Sequence, residues 1–301
     1  MAGAIAEILM ADSSIVLALC SLLLYGVTQV IAKAAVGSSN ATSMVAINFL
    51  VSVPVYVAIF ICALLFWGEY VDHFEYVIYG FIGASTARSG YYIYLEALEK
   101  GAVSMVGSIT AAFPAITAVL AVTFLGENIG PIKVVGISII IASMVALSFS
   151  HSRSTSSTSF SRSSLMLSLA TLLLWGFGGI FIKLSLNGLP LIGYLGLYVF
   201  VVPPIAFAYL RHKGATISVL IPKWTVPVIG AIVVAELWQL GYFAETSAVS
   251  QGAASIVFPL ISAYPVVTIL GARIFIKEKL SRMDWTILGL VVLGILLISA
   301  P

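Results

Sequence analysis

LLLYGVTQVIAK, residues 22–33, and LLLWGFGGIFIK, residues 172–183, are two versions of one phrase. Each runs from three leucines through an aromatic and a glycine, Tyr25 and Gly26 or Trp175 and Gly176, to a lysine, Lys33 or Lys183. The offset of 150 extends to Pro54 and Pro204. After one inserted residue it becomes 151, and Gly101, Ala102, Pro114, Thr117 and Glu127 return as Gly252, Ala253, Pro265, Thr268 and Glu278, with Phe113 answered by Tyr264. Chance likeness between leucine-rich segments does not place prolines, glycines and charges at a constant spacing. The chain reads as a duplication.

Composition says what was duplicated. The 301 residues are 61% hydrophobic and 9% charged, with a mean hydropathy of +1.13, whereas soluble domains carry about 25% charged residues. A spanning helix needs about 20 apolar residues. Ten such runs lie between polar breaks, at about 14–36, 43–66, 74–98, 102–125, 130–149, 164–187, 189–210, 224–248, 252–276 and 283–300. Strands are not needed, so the expected fold is an all-α membrane protein of ten transmembrane helices. Residues 1–13 hold Glu7 and Asp12 but no Lys or Arg, which makes the first run a retained helix and not a signal peptide.

The stretch HSRSTSSTSFSRSS, beginning at residue 151, is too polar to bury apolar surface and reads as a flexible linker. The division is therefore a first five-helix repeat (1–150), a Ser/Thr-rich linker (151–163) and a second five-helix repeat (164–301). Five is odd, so the second repeat enters the membrane from the opposite side. Inverted repeats around a central cavity are the architecture of many secondary carriers, whose substrate site lies near the bilayer midplane.

The two fivefold halves, the Tyr25–Gly26…Lys33 and Trp175–Gly176…Lys183 patterns, and the Pro-containing fourth helix ending in LGE at 125–127 resemble the EamA-type members of the drug/metabolite transporter superfamily. The resemblance covers about residues 14–300. It departs at the second LGE, where LGARIFIKEKLS occupies 270–281. It implies a secondary active transporter of small metabolites, often an exporter of amino acids or related amine compounds, working by alternating access. A multidrug or nucleotide-sugar carrier is the alternative on that scaffold. A non-transporting membrane receptor or scaffold is the reading from a different class.

Ionisable residues inside a membrane cost about 2.5–3.5 kcal/mol on insertion scales and are functional candidates by default. Arg88 falls near the middle of the third run and Glu236 near the middle of the eighth, its counterpart in the repeat. Two readings stand side by side. In one, the two neutralise each other as packing partners. In the other they line the cavity, Arg88 offering a planar fork to a carboxylate and Glu236 accepting an ammonium group or a coupling proton. Tyr91 and Tyr92 share a helix face with Arg88, Gln239 and Phe243 share one with Glu236, and Trp238 lies beside it. These seven residues are the candidate substrate site, with Asn48, Ser85 and Ser89 as further hydrogen-bonding groups. Glu96 and Glu245, nearer helix ends, are expected at the interface, and Tyr70, Tyr76 and Tyr94 in an aromatic belt. Pro54, Pro114, Pro204 and Pro265 should bend their helices, and Gly26 and Gly176 should let helices approach closely. Lys33 and Lys183 end on opposite membrane faces and do not form a paired site.

Other classes fit poorly. His73, His151 and His212 are far apart and lack metal-ligand spacing, and no phosphate-binding loop or Gly-x-Ser-x-Gly elbow occurs. No enzyme, cofactor or metal is expected. A net charge of +2 gives no nucleic-acid footprint. The implied partners are a small-molecule substrate, membrane lipid and, as a candidate coupling ion, protons; a monomer is compatible with all of this. Cys20 and Cys62 lie in apolar runs and are expected as small core residues. Lys100, Arg153, Arg162, Arg211, Lys213, Lys223, Lys277, Lys279 and Arg282 fall in the odd-numbered connections. The positive-inside rule makes that side cytoplasmic, placing both termini outside the plasma membrane; the family resemblance implies cytoplasmic termini. Asn40-Ala-Thr42 matches a glycosylation acceptor, on the side the charges make cytoplasmic.

Overall fold

The computed structural model describes residues 2–35, 40–65, 74–101, 103–154, 161–215, 226–275 and 281–299. Among them the chain is helical throughout: α1 (Ala2–Ala35), α2 (Ala41–Leu64), α3 (Phe74–Lys100), α4 (Val103–Thr110), α5 (Phe113–Phe124), α6 (Pro131–Ser154), α7 (Arg162–Leu186), α8 (Leu191–Gly196), α9 (Tyr198–His212), α10 (Val226–Gln251), α11 (Ala254–Ser262), α12 (Tyr264–Phe275) and α13 (Arg282–Ser299). These make ten stretches, because three spans are split in two: α4 with α5, α8 with α9, and α11 with α12. Seven stretches are long and apolar enough to cross a membrane, and Phe113–Phe124 and Pro131–Ala146 are shorter apolar helices. The tenth, α3, carries Glu75, Arg88, Glu96, Glu99 and Lys100 within its length.

The prolines act unequally. Pro114 and Pro265 each stand second in a new helix, α5 and α12, just after a break. A proline in the first helical turn gives up an N–H that has no intrahelical partner anyway. Pro54 sits inside the unbroken α2, and Pro203 and Pro204 inside α9. The repeat thus places a broken span at the fourth and ninth positions. At the linker, α6 continues to Ser154 and α7 starts at Arg162; both helices take residues that composition assigned to the linker, and 155–160 lie outside the described residues.

The packing shows how the halves are joined. Helix α3 lies along α7 and α1 along α10, α5 packs on α7 and α12 on α1, α6 on α13, and α2 on α8 and α9. Exchanging the repeats maps each pairing onto another or onto itself, as a two-fold axis between inverted halves requires. The atoms repeat the relation. Thr117 Oγ1 donates to the Gly176 carbonyl at 2.9 Å, and its counterpart Thr268 donates to the Gly26 carbonyl at 3.3 Å. Ser21 Oγ donates to the Gly241 carbonyl at 2.9 Å, and Thr171 Oγ1 to the Gly90 carbonyl at 3.4 Å. A Cβ at Gly26 would lie 2.4 Å from Val267 Cβ, and one at Gly176 2.8 Å from Ile116 Cβ. Only hydrogen fits at either crossing, and without side chains there the carbonyls come within reach of the hydroxyls. Both cysteines are exposed, against the expectation of core positions: each points away from the interhelical seams.

Candidate functional site

Arg88 is the best-organised charge inside the bundle. Its helix faces α2, where Asn48 Oδ1 accepts from Nη1 at 2.6 Å and Tyr56 Oη accepts from Nη2 at 3.2 Å. The guanidinium carbon stands 5.7, 5.9 and 5.5 Å from the ring centroids of Tyr56, Tyr92 and Tyr198, within cation–π range. Its third nitrogen, Nε, is buried without a protein partner, and so are both amide atoms of Gln239. Arg88 and Gln239 are 7% and 4% exposed. Buried polar groups are nearly always satisfied, so three orphaned atoms at one place point to water or a ligand. Both residues line a cavity with an empty volume of about 320 Å³ counted to its open mouth, together with Asn48, Tyr91, Trp238 and Tyr242.

A larger cavity adjoins it, with an empty volume of about 580 Å³ counted to its open mouth. Ala87, Tyr91, Trp238 and Tyr242 line both. Its walls are mainly rings: Tyr25 and Tyr91 lie 4.7 and 4.9 Å from Trp238 between centroids, and Trp175 lies 6.2 Å from it. Phe113 and Tyr264, the residues that open α5 and α12, are also in the wall; the broken spans deliver their first residues to the cavity, as in carriers built on discontinuous helices. Among the described residues the single charged side chain here is Glu245, 8% exposed, which accepts from Tyr25 Oη at 2.8 Å. Tyr242 Oη is clustered with Tyr194 Oη at 2.6 Å and Tyr198 Oη at 2.5 Å.

Of the seven residues predicted for substrate contact, the structure brings Arg88, Tyr91, Trp238 and Gln239 to the cavities. Tyr92 supports Arg88 from behind, its hydroxyl 3.5 Å from Asn48 Oδ1. Phe243 packs edge-on against Tyr56 at 6.1 Å. Glu236 is half-buried, lines neither cavity, and forms no ion pair with Arg88; Asn48 and Tyr56 hold Arg88 instead. Glu245 corrects the expectation of an interfacial carboxylate. It lies six residues inside the end of α10, about 9 Å along the axis, and α1 crosses there to cover it with Tyr25. Tyr94 is likewise no belt residue: it is buried and accepts from Gln29 Nε2 at 3.0 Å. Glu96 is at the surface, bridging Lys100 and Lys213 at 2.6 Å each. Asn40, the glycosylation match, caps α2 by accepting from the Ser43 amide at 2.8 Å. Tyr70 and the side chain of Lys33 lie outside the described residues.

The repeated lysine and the LGE glutamate have structural work. Lys183 Nζ donates to the carbonyls of Val249 and Gly252 at 2.9 and 2.8 Å, at the C-terminal end of α10. Glu127 accepts from the amides of Ala254 and Ser255 at 2.8 and 2.9 Å, and from Ser255 Oγ, at the N-terminus of α11. A cation at a helix C-terminus and an anion at an N-terminus each oppose the local dipole charge. Gly126, at φ +66, turns the chain into position for Glu127. Among the described residues no group of His, Cys, Asp and Glu is arranged to hold a metal.

The model of the EamA-like transporter family matches residues 12–149 and again 162–300. The chain belongs to the EamA-like transporter family. The double match coincides with the duplication. Of the solved chains that match, one described only as a protein crystal structure aligns with a TM-score of 0.72 over 96% of each chain, at 15% identity; that likeness shows the shared fold. No curated protein matches this chain. An EamA-like protein with ten helical stretches is an integral, multi-pass membrane transporter of the drug/metabolite type for small molecules.

Proposed function

We propose that this chain is a secondary active carrier, working by alternating access, that exports amino acids or related amine compounds across the plasma membrane. The observation that carries the reading is the orphaned polar set at the cavity, Arg88 Nε and the Gln239 amide. With Nη1 and Nη2 already committed to Asn48 and Tyr56, Nε–H and the Gln239 NH2 are free to donate to a carboxylate oxygen, while Gln239 Oε1 accepts from an amine or hydroxyl. The aromatic walls exclude water and take up an apolar side chain. Broken spans at symmetry-related positions supply two movable wall segments, and exchanging the conformations of the halves opens the cavity to one side and then the other. A substrate or proton gradient drives the cycle. The basic connections face the cytoplasm and the termini lie outside.

Counterflow uptake into liposomes by purified protein, screened over amino acids, polyamines and nucleotide sugars, tests this. An amino acid or amine should exchange, and Arg88→Ala and Gln239→Leu should each slow exchange at least about tenfold, the loss of one good hydrogen bond to a charged group. Glu236→Gln should retain it. Exchange of a confirmed substrate at the normal rate by both Arg88→Ala and Gln239→Leu refutes the site. Uptake confined to nucleotide sugars refutes the substrate class.

A further inference from the structure

Glu245 is a charged residue of the larger cavity to which the carboxylate-binding role gives no purpose. It is buried, its described hydrogen bond is the neutral one from Tyr25, and among the described residues no Lys, Arg or His pairs with it. Isolated carboxylates are expensive in a low-polarity interior and are retained where they meet a cation. The surroundings say what kind. Tyr25, Tyr91, Trp175 and Trp238 form a continuous wall, with Trp238 within 4.7–6.2 Å of the other three ring centres. The negative faces of such rings attract organic cations, most strongly at Trp. A metal ion would want several oxygen or nitrogen ligands; one carboxylate among rings does not supply them.

We propose that Glu245, with the rings of Tyr25, Tyr91, Trp175 and Trp238, binds the ammonium group of a small organic amine. This rests on the carrier reading only in taking the cavity as the substrate's path. Tyr25 is the positioning residue: its hydroxyl fixes one carboxylate oxygen at 2.8 Å while its ring contributes wall. The adjoining cavity holds the opposite charge, Arg88, beyond the shared residues Tyr91, Trp238 and Tyr242. The two cavities thus offer opposite charges to the two ends of a molecule bearing an ammonium and a carboxylate.

Binding is read without transport, by quenching of tryptophan fluorescence in the purified full-length chain near neutral pH. Phenethylamine and phenylacetate serve as probes, alike in ring and opposite in charge. Phenethylamine should quench saturably, and Glu245→Gln should weaken it by about 30-fold or more, the usual scale for removing one partner of a buried charge pair. Glu245→Asp, which keeps the charge, should weaken it less, and phenylacetate should bind Glu245→Gln no worse than wild type. A second measurement needs no variant: labelling of Glu245 by dicyclohexylcarbodiimide, followed by mass spectrometry, should be slowed by phenethylamine and not by phenylacetate. Absence of saturable amine binding, equal binding by Glu245→Gln, or labelling indifferent to the amine overturns the proposal. A Glu245 that only carries protons gives the second of these results. Amine binding without counterflow leaves this site standing and removes the carrier reading; counterflow with no effect of amines does the reverse.

Discussion

Gly90 offers the sharpest test of the packing that shapes the cavity. A Cβ there would lie 2.5 Å from Trp175 Nε1 and 2.6 Å from its Cδ1, where atoms in contact prefer about 3.5–4.0 Å. In Gly90→Ala the indole must therefore withdraw by roughly 1 Å. It has nowhere easy to go: Tyr94, Phe113 and Trp238 stand 5.5, 5.8 and 6.2 Å away between ring centroids. Withdrawal also breaks the bond from Nε1 to the Ala87 carbonyl, now 3.2 Å. Overpacking costs about 1–3 kcal/mol, the lost hydrogen bond about 1 kcal/mol, and alanine returns up to about 1 kcal/mol of helix propensity. The net expectation is a loss of about 1–3 kcal/mol. Unfolding by dodecyl sulfate titration in mixed micelles should show it for Gly90→Ala. In a Trp175→Ala background the added methyl finds space, so the same change should cost nearly nothing there, leaving a coupling of about 1–3 kcal/mol. A Gly90→Ala protein as stable as wild type, or one destabilised equally in both backgrounds, refutes the close-approach account.

Three further outcomes are expected. The symmetry-related Gly241→Ala should behave alike, since its Cβ would lie 2.7 Å from Tyr25 Cε1, and Tyr25→Ala should relieve it in the same titration. Glu127→Ala removes the acceptor for two backbone amides of α11 and should cost about 1–2 kcal/mol, the range for losing a helix cap, read as a lower unfolding midpoint with Glu127→Gln intermediate. A phosphatase fused to the N-terminus and a fluorescent protein fused to the linker should both be active if the termini face outward; the opposite pattern in both fusions refutes the orientation drawn from the basic connections.

What was legible in the sequence was whatever the duplication wrote twice. The glycines and prolines at constant offset located the crossings and two of the three split spans, because close approach and a missing N–H each demand a particular residue type. Arg88 was visible for a similar reason: a guanidinium in an apolar run is too costly to be incidental. Its partner was not visible. Position along a helix gives depth, and depth put Arg88 and Glu236 level, but the direction of a side chain depends on which neighbours cover which face. Asn48 and Tyr56 on α2 reach Arg88, and no spacing within α3 or α10 says so. Glu245 was misplaced for the same cause. Counting residues to the end of α10 measures distance from the surface along that helix only, while the long packing of α1 against it decides whether the carboxylate meets water.

The two-fold relation also explains why the site looks as it does. At an offset of 151, Arg88 corresponds to Gln239, Tyr91 to Tyr242, Ala87 to Trp238, and Tyr94 to Glu245; at 150, Tyr25 corresponds to Trp175. The positions that let backbones touch are chemically alike in both halves: Gly26 and Gly176, Gly90 and Gly241, Thr117 and Thr268, and the hydroxyls of Ser21 and Thr171. Most positions that face the cavities differ in charge, in size, or in both, as Arg88 and Gln239, Ala87 and Trp238, and Tyr25 and Trp175 do, while Tyr91 and Tyr242 are alike. Backbone crossings must match because a two-fold relation between inverted halves requires each half to pack on the other in the same way. The cavity is under no such demand. A symmetric lining would present equal charge from both halves and would favour a symmetric solute; here Glu245 answers Tyr94 and Arg88 answers Gln239, which puts a carboxylate in one cavity and a guanidinium in the other, as the proposed amine and carboxylate sites require. Exchanging the pair, Arg88→Gln with Gln239→Arg, tests this: Asn48 and Tyr56, which hold Arg88, are answered at an offset of 150 by Tyr198 and Ala206, so the moved guanidinium lacks equivalent partners and the orientation of the bound solute, and with it exchange, should fail. Exchange at the normal rate in the swapped protein would mean that the two positions are equivalent and that the asymmetry of the cavity carries no recognition.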